Sequence, residues 1–130
     1  MPVPRVRDLT DELVEFWRER HLCTVTTLRA DGSPHVVPMG FVLDVDARVA
    51  WAITARTSLK VANLRRRPTV AICQVDGRRW STLEGRGEVK EDAASVAEAV
   101  RRYAERYRQP RENPDRVAIR VELVSVIGNV

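Results

Sequence analysis

The pattern of apolar and polar residues predicts three helices and six strands. Helices are expected over residues 10–20, 58–66 and 92–107, the last because Val96, Val100 and Tyr103 recur at helical spacing. Runs rich in β-branched or alternating apolar residues predict the strands, at 22–28, 35–43, 48–54, 69–75, 80–89 and 117–127.

Turn signals between the strands indicate hairpins. Asp31-Gly32 and Asp76-Gly77 are strong two-residue hairpin signals. Strands joined mainly by hairpins, with helices at the margins, predict a mainly β fold: one domain over residues 1–130, folded as a six-stranded antiparallel barrel. Pro38 and Gly40 interrupt one strand, which indicates an edge or a bulge where the backbone approaches a ligand, although a purely structural bulge fits equally well.

Composition indicates in which cellular compartment we expect the protein. Hydrophobic residues make up 44% of the chain, yet no apolar run approaches the roughly 18 residues that a membrane span needs. The first residues lack the apolar core of a signal peptide, so we expect a cytoplasmic protein without a membrane partner. Cys23 and Cys73 lie in apolar strands without metal-ligand spacing, which predicts a reduced, buried pair and no metal site.

Positive charge is concentrated in the middle of the chain. Residues 56–90 carry nine Lys or Arg against three acidic residues, a balance of +6, whereas the remainder carries 13 against 15, a balance of −2. A local positive field indicates an anionic ligand. Nucleic acid is not the expected ligand, because aromatic residues do not interleave with the basic ones.

Residues 51–68 are the best candidate for an anion site. A strand ends there and a short helix begins near Ser58, with Arg56 and Lys60 on either side. The start of a helix presents free N–H groups and the positive end of its dipole, and these residues would complete a phosphate site. The alternative interpretation of the same residues is a helix that Thr57 or Ser58 caps, with the cations facing water.

No acid–base or nucleophilic machinery is visible. His21 and His35 lie in different elements, and the motifs of hydrolases, nucleotide-binding loops and zinc proteases are missing. We therefore assign no catalytic residue. The remaining candidates suit a flat anionic cofactor: Pro38, Met39 and Gly40 would offer backbone to a ring edge, and Trp80 would stack on a ring unless it packs in the core.

Three runs of the sequence resemble the split β-barrel flavin and deazaflavin oxidoreductases, which include the pyridoxamine 5′-phosphate oxidase-like proteins. The runs are LCTVTTLRADGSPHVVPMGF, ARTSLKVANLRRRPTVAICQVDG and WSTLEGRGEV. The segments QVDGRRWSTLEGRG and RYAERYRQPRENPDRVAIRVE are most similar to the actinobacterial branch that uses coenzyme F420, particularly its biliverdin reductases.

The resemblance implies a homodimer with two cofactor sites at the subunit interface. Arg56, Ser58 and Lys60 would bind the cofactor phosphate, and Trp80 would reach in from the partner subunit. The cofactor ring would be lined by two segments: Pro38, Met39, Gly40 and Phe41, and Ile53, Thr54 and Ala55. Coenzyme F420 also carries a long anionic tail, which Arg78 and the arginines at 65–67 would follow, unless those arginines only face water.

The expected function is hydride transfer from reduced F420 to a conjugated small molecule. The expected acceptor is the tetrapyrrole biliverdin, which would give bilirubin. Two alternatives stay open from the sequence. One is an enzyme like pyridoxamine 5′-phosphate oxidase that uses flavin mononucleotide (FMN). The other is a protein of the same fold that binds flavin or haem without catalysing a reaction.

Overall fold

A computed structural model describes residues 9–130 of the chain. Three helices and seven strands follow one another in the order α1 (Asp11–Arg18), β1 (Cys23–Leu28), β2 (Pro34–Met39), β3 (Val42–Asp44), β4 (Val49–Ala55), α2 (Leu59–Arg66), β5 (Thr69–Asp76), β6 (Arg79–Lys90), α3 (Ala93–Arg106) and β7 (Arg116–Gly128). The mainly β architecture with three helices agrees with the sequence pattern.

All seven strands belong to one antiparallel sheet with the order β2-β1-β5-β6-β7-β4-β3. The two predicted hairpins are confirmed. Gly32 and Gly77 adopt positive φ angles of 87° and 62°, a backbone conformation that favours glycine and explains why these turns were readable from the sequence. Strand β6 has a register shift between Glu84 and Gly85 in its pairing with β7, which marks a β-bulge or irregularity.

The predicted six-stranded barrel is wrong in strand number, because seven strands form one open sheet. The run 35–43 is not one strand, because it breaks at Gly40 and Phe41 into β2 and β3. These two strands occupy opposite edges of the sheet, and no ladder joins them. Only two residues connect the edges, so the sheet curls until its edges come close while it remains open between them.

The main core fills the concave side of this curled sheet. Leu13, Phe16 and Trp17 of α1 are at most 2% exposed and pack against the buried faces of the strands. The Trp17 indole donates a hydrogen bond to the Ser81 hydroxyl at 3.0 Å. Helix α3 covers the opposite side of β4 and β7, where a second cluster forms around Trp51 and Ala99.

The outer face of β1, β2, β5 and β6 and of the end of β7 has no such cover among residues 9–130. Strand pairing places Val75 opposite Trp80, Thr26 opposite Val36 and Thr82 opposite Ile127, and paired or alternate residues share one face of a sheet. Large apolar side chains are therefore exposed on this face: Val36, Val75, Trp80 and Ile127. We call these four residues the outer apolar face.

Two further sequence expectations can be compared with the structure. Cys23 and Cys73 are both free thiols, but only Cys23 is buried and Cys73 is half-buried, so the expectation of a buried pair is half correct. Burial raises the pKa of the Cys23 thiol. Among residues 9–130, no helix has the length and apolar character required to span a membrane.

Candidate functional site

The start of α2 has the properties expected of an anion site. Ser58 occupies the N-cap position with extended backbone angles, but neither it nor any other described side chain caps the helix. The Ser58 hydroxyl instead accepts a hydrogen bond from the Thr54 hydroxyl at 3.3 Å. The interpretation of this turn as a side-chain-capped helix is therefore wrong, and the first N–H groups of α2 are left for another acceptor.

Lys60, in the first turn of α2, is a half-buried cation. Burial lowers the pKa of its ammonium group. No carboxylate lies within ion-pair distance of Lys60 anywhere in residues 9–130. A cation that loses hydration without gaining a counter-ion from its own chain is suited to an anionic ligand.

Arg56, in contrast, is already paired within the chain. Its guanidinium donates to Glu91 at 2.7 Å and to Asp115 at 3.5 Å, and Arg65 approaches Glu91 at 3.4 Å. The hydrogen bond that Arg56 donates to Glu91 raises the pKa of Arg56 and lowers the pKa of Glu91. An anion bound by Arg56 would have to compete with these two carboxylates.

The end of β4 forms one wall of a cleft of about 480 Å³ beside the candidate anion site at the start of α2. The cleft is lined by Ile53, Thr54 and Ala55, by Tyr103 of α3, and by residues from the loop between α3 and β7. This is the volume range of small-molecule sites. The structure thus brings the expected ring-lining residues 53–55 together with the start of α2.

The other expected ring-lining segment lies next to the same helix, α3. A Cβ atom on Gly40 would lie 2.8 Å from Tyr107 Cε2 and 3.2 Å from Tyr103 Cε2, so the close approach of the two tyrosines requires glycine there. Pro38 is exposed and Met39 half-buried. Phe41 is 0% exposed and belongs to the core, so its side chain is not available to a ligand.

The break at Gly40 and Phe41 is fixed by residues from the end of α3. The Phe41 carbonyl accepts hydrogen bonds from Arg106 Nη1 and, at 3.4 Å, from the Tyr107 hydroxyl. Arg106 is 9% exposed and also donates to the Glu19 carbonyl and to the Gln74 side chain. All of its acceptors are uncharged, so Arg106 is a buried cation held by carbonyl groups.

Arg78 and Trp80 are not brought to this cleft within one chain. Arg78 lies in the turn directly before β6 and Trp80 at the beginning of β6, whereas Glu91, directly after the far end of β6, contacts Arg56. Trp80 and Glu91 are eleven positions apart in the sequence. At the rise per residue of an extended strand, this places them on the order of 30 Å apart. Any role for Arg78 or Trp80 at the cofactor therefore requires a second subunit and stays a prediction.

His21 has acidic neighbours that the sequence did not reveal, but it lies elsewhere in the molecule. Its Nε2 is 3.1 Å from Glu19 and 3.8 Å from Asp76. Arg79 bonds both carboxylates, and this contact, with that from His21, holds the pKa of Glu19 at about 2. The three potential metal ligands, Glu19, His21 and Asp76, thus already surround a guanidinium.

Comparison with known proteins identifies the family. The family model described as pyridoxamine 5′-phosphate oxidase matches residues 9–128, nearly the whole chain. The chain belongs to the pyridoxamine 5′-phosphate oxidase family. An F420H2-dependent biliverdin reductase from Mycobacterium tuberculosis is 48% identical to this family member over 121 residues, covering 93% of the chain and 88% of that protein.

Solved structures agree with the family's fold. A conserved hypothetical protein from Mycobacterium tuberculosis superposes with a TM-score of 0.79 at 24% identity, covering 95% of this chain and 88% of that one. An F420 reductase superposes with a TM-score of 0.72, also at 24% identity, covering 87% and 94%. At this identity the structural likeness establishes the fold alone.

Sequence reasoning passed over four residues that line the cleft in this family member: Tyr103, Arg108, Arg111 and Arg116. Tyr103 was assigned only to the apolar stripe of its helix, and the three arginines were not assigned to a site. The available signal was the presence of three arginines, at 108, 111 and 116, around Pro110 and Pro114, because prolines stiffen a loop.

Proposed function

We propose that this chain is a cytoplasmic F420H2-dependent reductase that converts biliverdin to bilirubin. The observation that carries the proposal is the uncapped start of α2 with the unpaired, half-buried Lys60, in a chain 48% identical to an F420H2-dependent biliverdin reductase. An ammonium group and free N–H groups form a donor set that fits the phosphodiester of F420. The two free cysteines fit a reducing compartment.

Each segment of the site has a distinct role in this proposal. Lys60, Ser58 and the first N–H groups of α2 bind the phosphodiester, and Arg56 adds a second cation when it turns from its carboxylate partners. Residues 53–55 and the backbone of residues 38–40 line the deazaflavin ring. When bound, reduced F420 supplies the hydride. No side chain is assigned as an acid or a base, and FMN is not needed to explain the site.

The choice of electron donor tests the function. We expect purified protein to reduce biliverdin with F420H2 and to show no turnover with NADPH alone, because the chain has no GxGxxG fingerprint for a nicotinamide cofactor. Loss of biliverdin absorbance and appearance of bilirubin absorbance measure the reaction. Steady turnover with NADPH and no F420 would contradict the proposal, and binding of F420 and FMN measured in parallel provides the control.

We further propose that the protein is a homodimer whose second copy covers the outer apolar face. Val75 is 60% exposed, Ile127 43% and Trp80 37%, which leaves a contiguous apolar surface of the kind that marks protein interfaces. Strand β6 extends this face toward Gly85, so a partner lying on it can bring its own Trp80 toward the cofactor site of the first subunit.

Light scattering tests the dimer. We expect a mass of twice the 14.8 kDa of one chain, and we expect Val75→Asp to shift the mass toward that of one chain because a desolvated carboxylate opposes association. Ala94→Asp, on the exposed start of α3, is the matched control and should remain dimeric. Fully active wild-type protein with the mass of a single chain would refute the dimer.

A further inference from the structure

Two clefts in the described part of the chain differ in charge. A cleft of about 940 Å³ lies between α1, β3 and α3, and its lining includes five acidic residues. Of the three arginines there, Arg102 is paired with Asp44 and Arg106 is held by carbonyl groups. This larger cleft therefore disfavours an anionic ligand. The smaller cleft at the end of β4 has three arginines, Arg108, Arg111 and Arg116, and no acidic residue in its lining.

The guanidinium groups of Arg108 and Arg111 have no ion-pair partner in residues 9–130. Arg101, on the neighbouring helix α3, is by contrast paired with Glu98 and Glu105. The acid nearest in sequence to Arg116, Asp115, pairs with Arg56 instead. The cleft thus retains a local excess of positive charge for a ligand to neutralise.

The loop that carries these arginines is anchored. The Asp115 carbonyl accepts a hydrogen bond from the Arg56 N–H at 2.8 Å, and Asn113 bonds the N–H groups of both Asp115 and Arg116. Arg116 donates through Nη2 to the Arg111 carbonyl. Arg116 is therefore a positioning residue that holds the backbone of Arg111 at its carbonyl. Arg108 directly follows Tyr107, whose N–H donates to the Tyr103 carbonyl at 2.8 Å. Backbone held in this way reduces the entropy lost on binding.

From this arrangement we infer that Arg108 and Arg111 bind the two propionate carboxylates of the linear tetrapyrrole, and that the part of the cleft lined by Tyr103 and the loop is the substrate side of the site. This inference rests on the proposed function. The Tyr103 ring lines the cleft together with these arginines and suits the conjugated pyrrole rings, while residues 53–55 remain against the deazaflavin ring. A guanidinium group matches a carboxylate with two parallel hydrogen bonds, which gives orientation as well as affinity.

Binding of biliverdin and of its dimethyl ester, in which both propionates are neutral, tests the inference. Fluorescence quenching of tryptophan gives the dissociation constants without an electron donor. We expect the wild type to bind biliverdin about tenfold more tightly than the ester, and Arg108→Ala/Arg111→Ala to bind the two equally. KM for biliverdin should rise by a similar factor with little change in kcat. Arg101→Ala removes one charge from α3 away from the cleft and should behave as the wild type.

The outcomes separate this inference from the proposed function. If the wild type reduces biliverdin and the double variant still prefers biliverdin over the ester, the assignment of the arginines is overturned and the proposed function stands. A double variant that loses affinity for F420 but not for biliverdin assigns the arginines to carboxylates of the cofactor tail instead, and also overturns the inference. Wild type that binds F420 and neither binds nor reduces biliverdin overturns both.

Discussion

Replacing Lys60 with alanine should lower the affinity for F420 about tenfold to hundredfold. The variant loses a charge-assisted contact to the phosphodiester, worth roughly 1.5–3 kcal/mol. Folding stability should stay within about 0.5 kcal/mol, because Lys60 is a half-buried cation at a helix start, where the dipole disfavours it and no carboxylate of residues 9–130 pairs with it. Titration of F420 fluorescence and urea unfolding measure the two effects.

The chain offers a matched control, because Lys90 is its only other lysine. Lys90 is paired with Glu88 at 3.4 Å, so Lys90→Ala removes the same charge from a position that already has a partner. We expect F420 affinity within about twofold of the wild type for this variant. Equal losses in the two variants would indicate a general electrostatic effect and would move the phosphate away from α2.

Replacing Arg106 with leucine should destabilise the protein by about 2–4 kcal/mol. The substitution removes the hydrogen bonds that a buried cation donates to three acceptors, the Phe41 and Glu19 carbonyls and the Gln74 side chain, and each such bond contributes roughly 1.5–3 kcal/mol. The Phe41 carbonyl keeps only the Tyr107 hydroxyl at 3.4 Å, and the Glu19 carbonyl keeps only the His21 N–H at 3.0 Å. Removal of a buried charge offsets part of this cost. Urea unfolding should show a lower midpoint with an unchanged slope.

Two variants sharpen the Arg106 experiment. Arg106→Lys keeps the charge but has three donors where arginine has five, so it should recover part of the lost stability. Arg101→Leu removes an exposed arginine from the same helix and should change the free energy of unfolding by less than about 0.5 kcal/mol. A loss as large in Arg101→Leu as in Arg106→Leu would refute the assignment of Arg106 as a buried anchor.

The parts of the fold that depend on residues close together in the sequence could be predicted from it. Asp31-Gly32 and Asp76-Gly77 specify turns by themselves, because glycine there adopts positive φ angles. Asp92 was also recognisable as the start of α3, and its side chain accepts a hydrogen bond from the Ser95 N–H. Each of these signals acts over two to four residues.

The features that were misread depend on contacts between distant residues. Residues 35–43 look like one strand, but Arg106 and Tyr107 bind the Phe41 carbonyl from more than 60 positions away and fix the break there. Arg56 looked like a free cation, because nothing in the sequence places Glu91 and Asp115 beside it. The predicted start of helix α2 at Ser58 is confirmed. The arginine-lined cleft was not predicted, because it forms only when the loop after α3 folds back onto the end of β4.

The open sheet has a consequence for how copies of this chain can meet. Unpaired edge strands act as templates for aggregation. One edge here, β3, is only three residues long. The other edge strand, β2, carries Pro34 and Pro38, which have no N–H to donate. Alternate residues of a strand direct their N–H groups to the same side, so among positions 34, 36 and 38 only Val36 can donate there. A continuous ladder from one molecule to the next is thereby blocked at both edges, which directs association away from fibril-like stacking and onto the flat of the sheet.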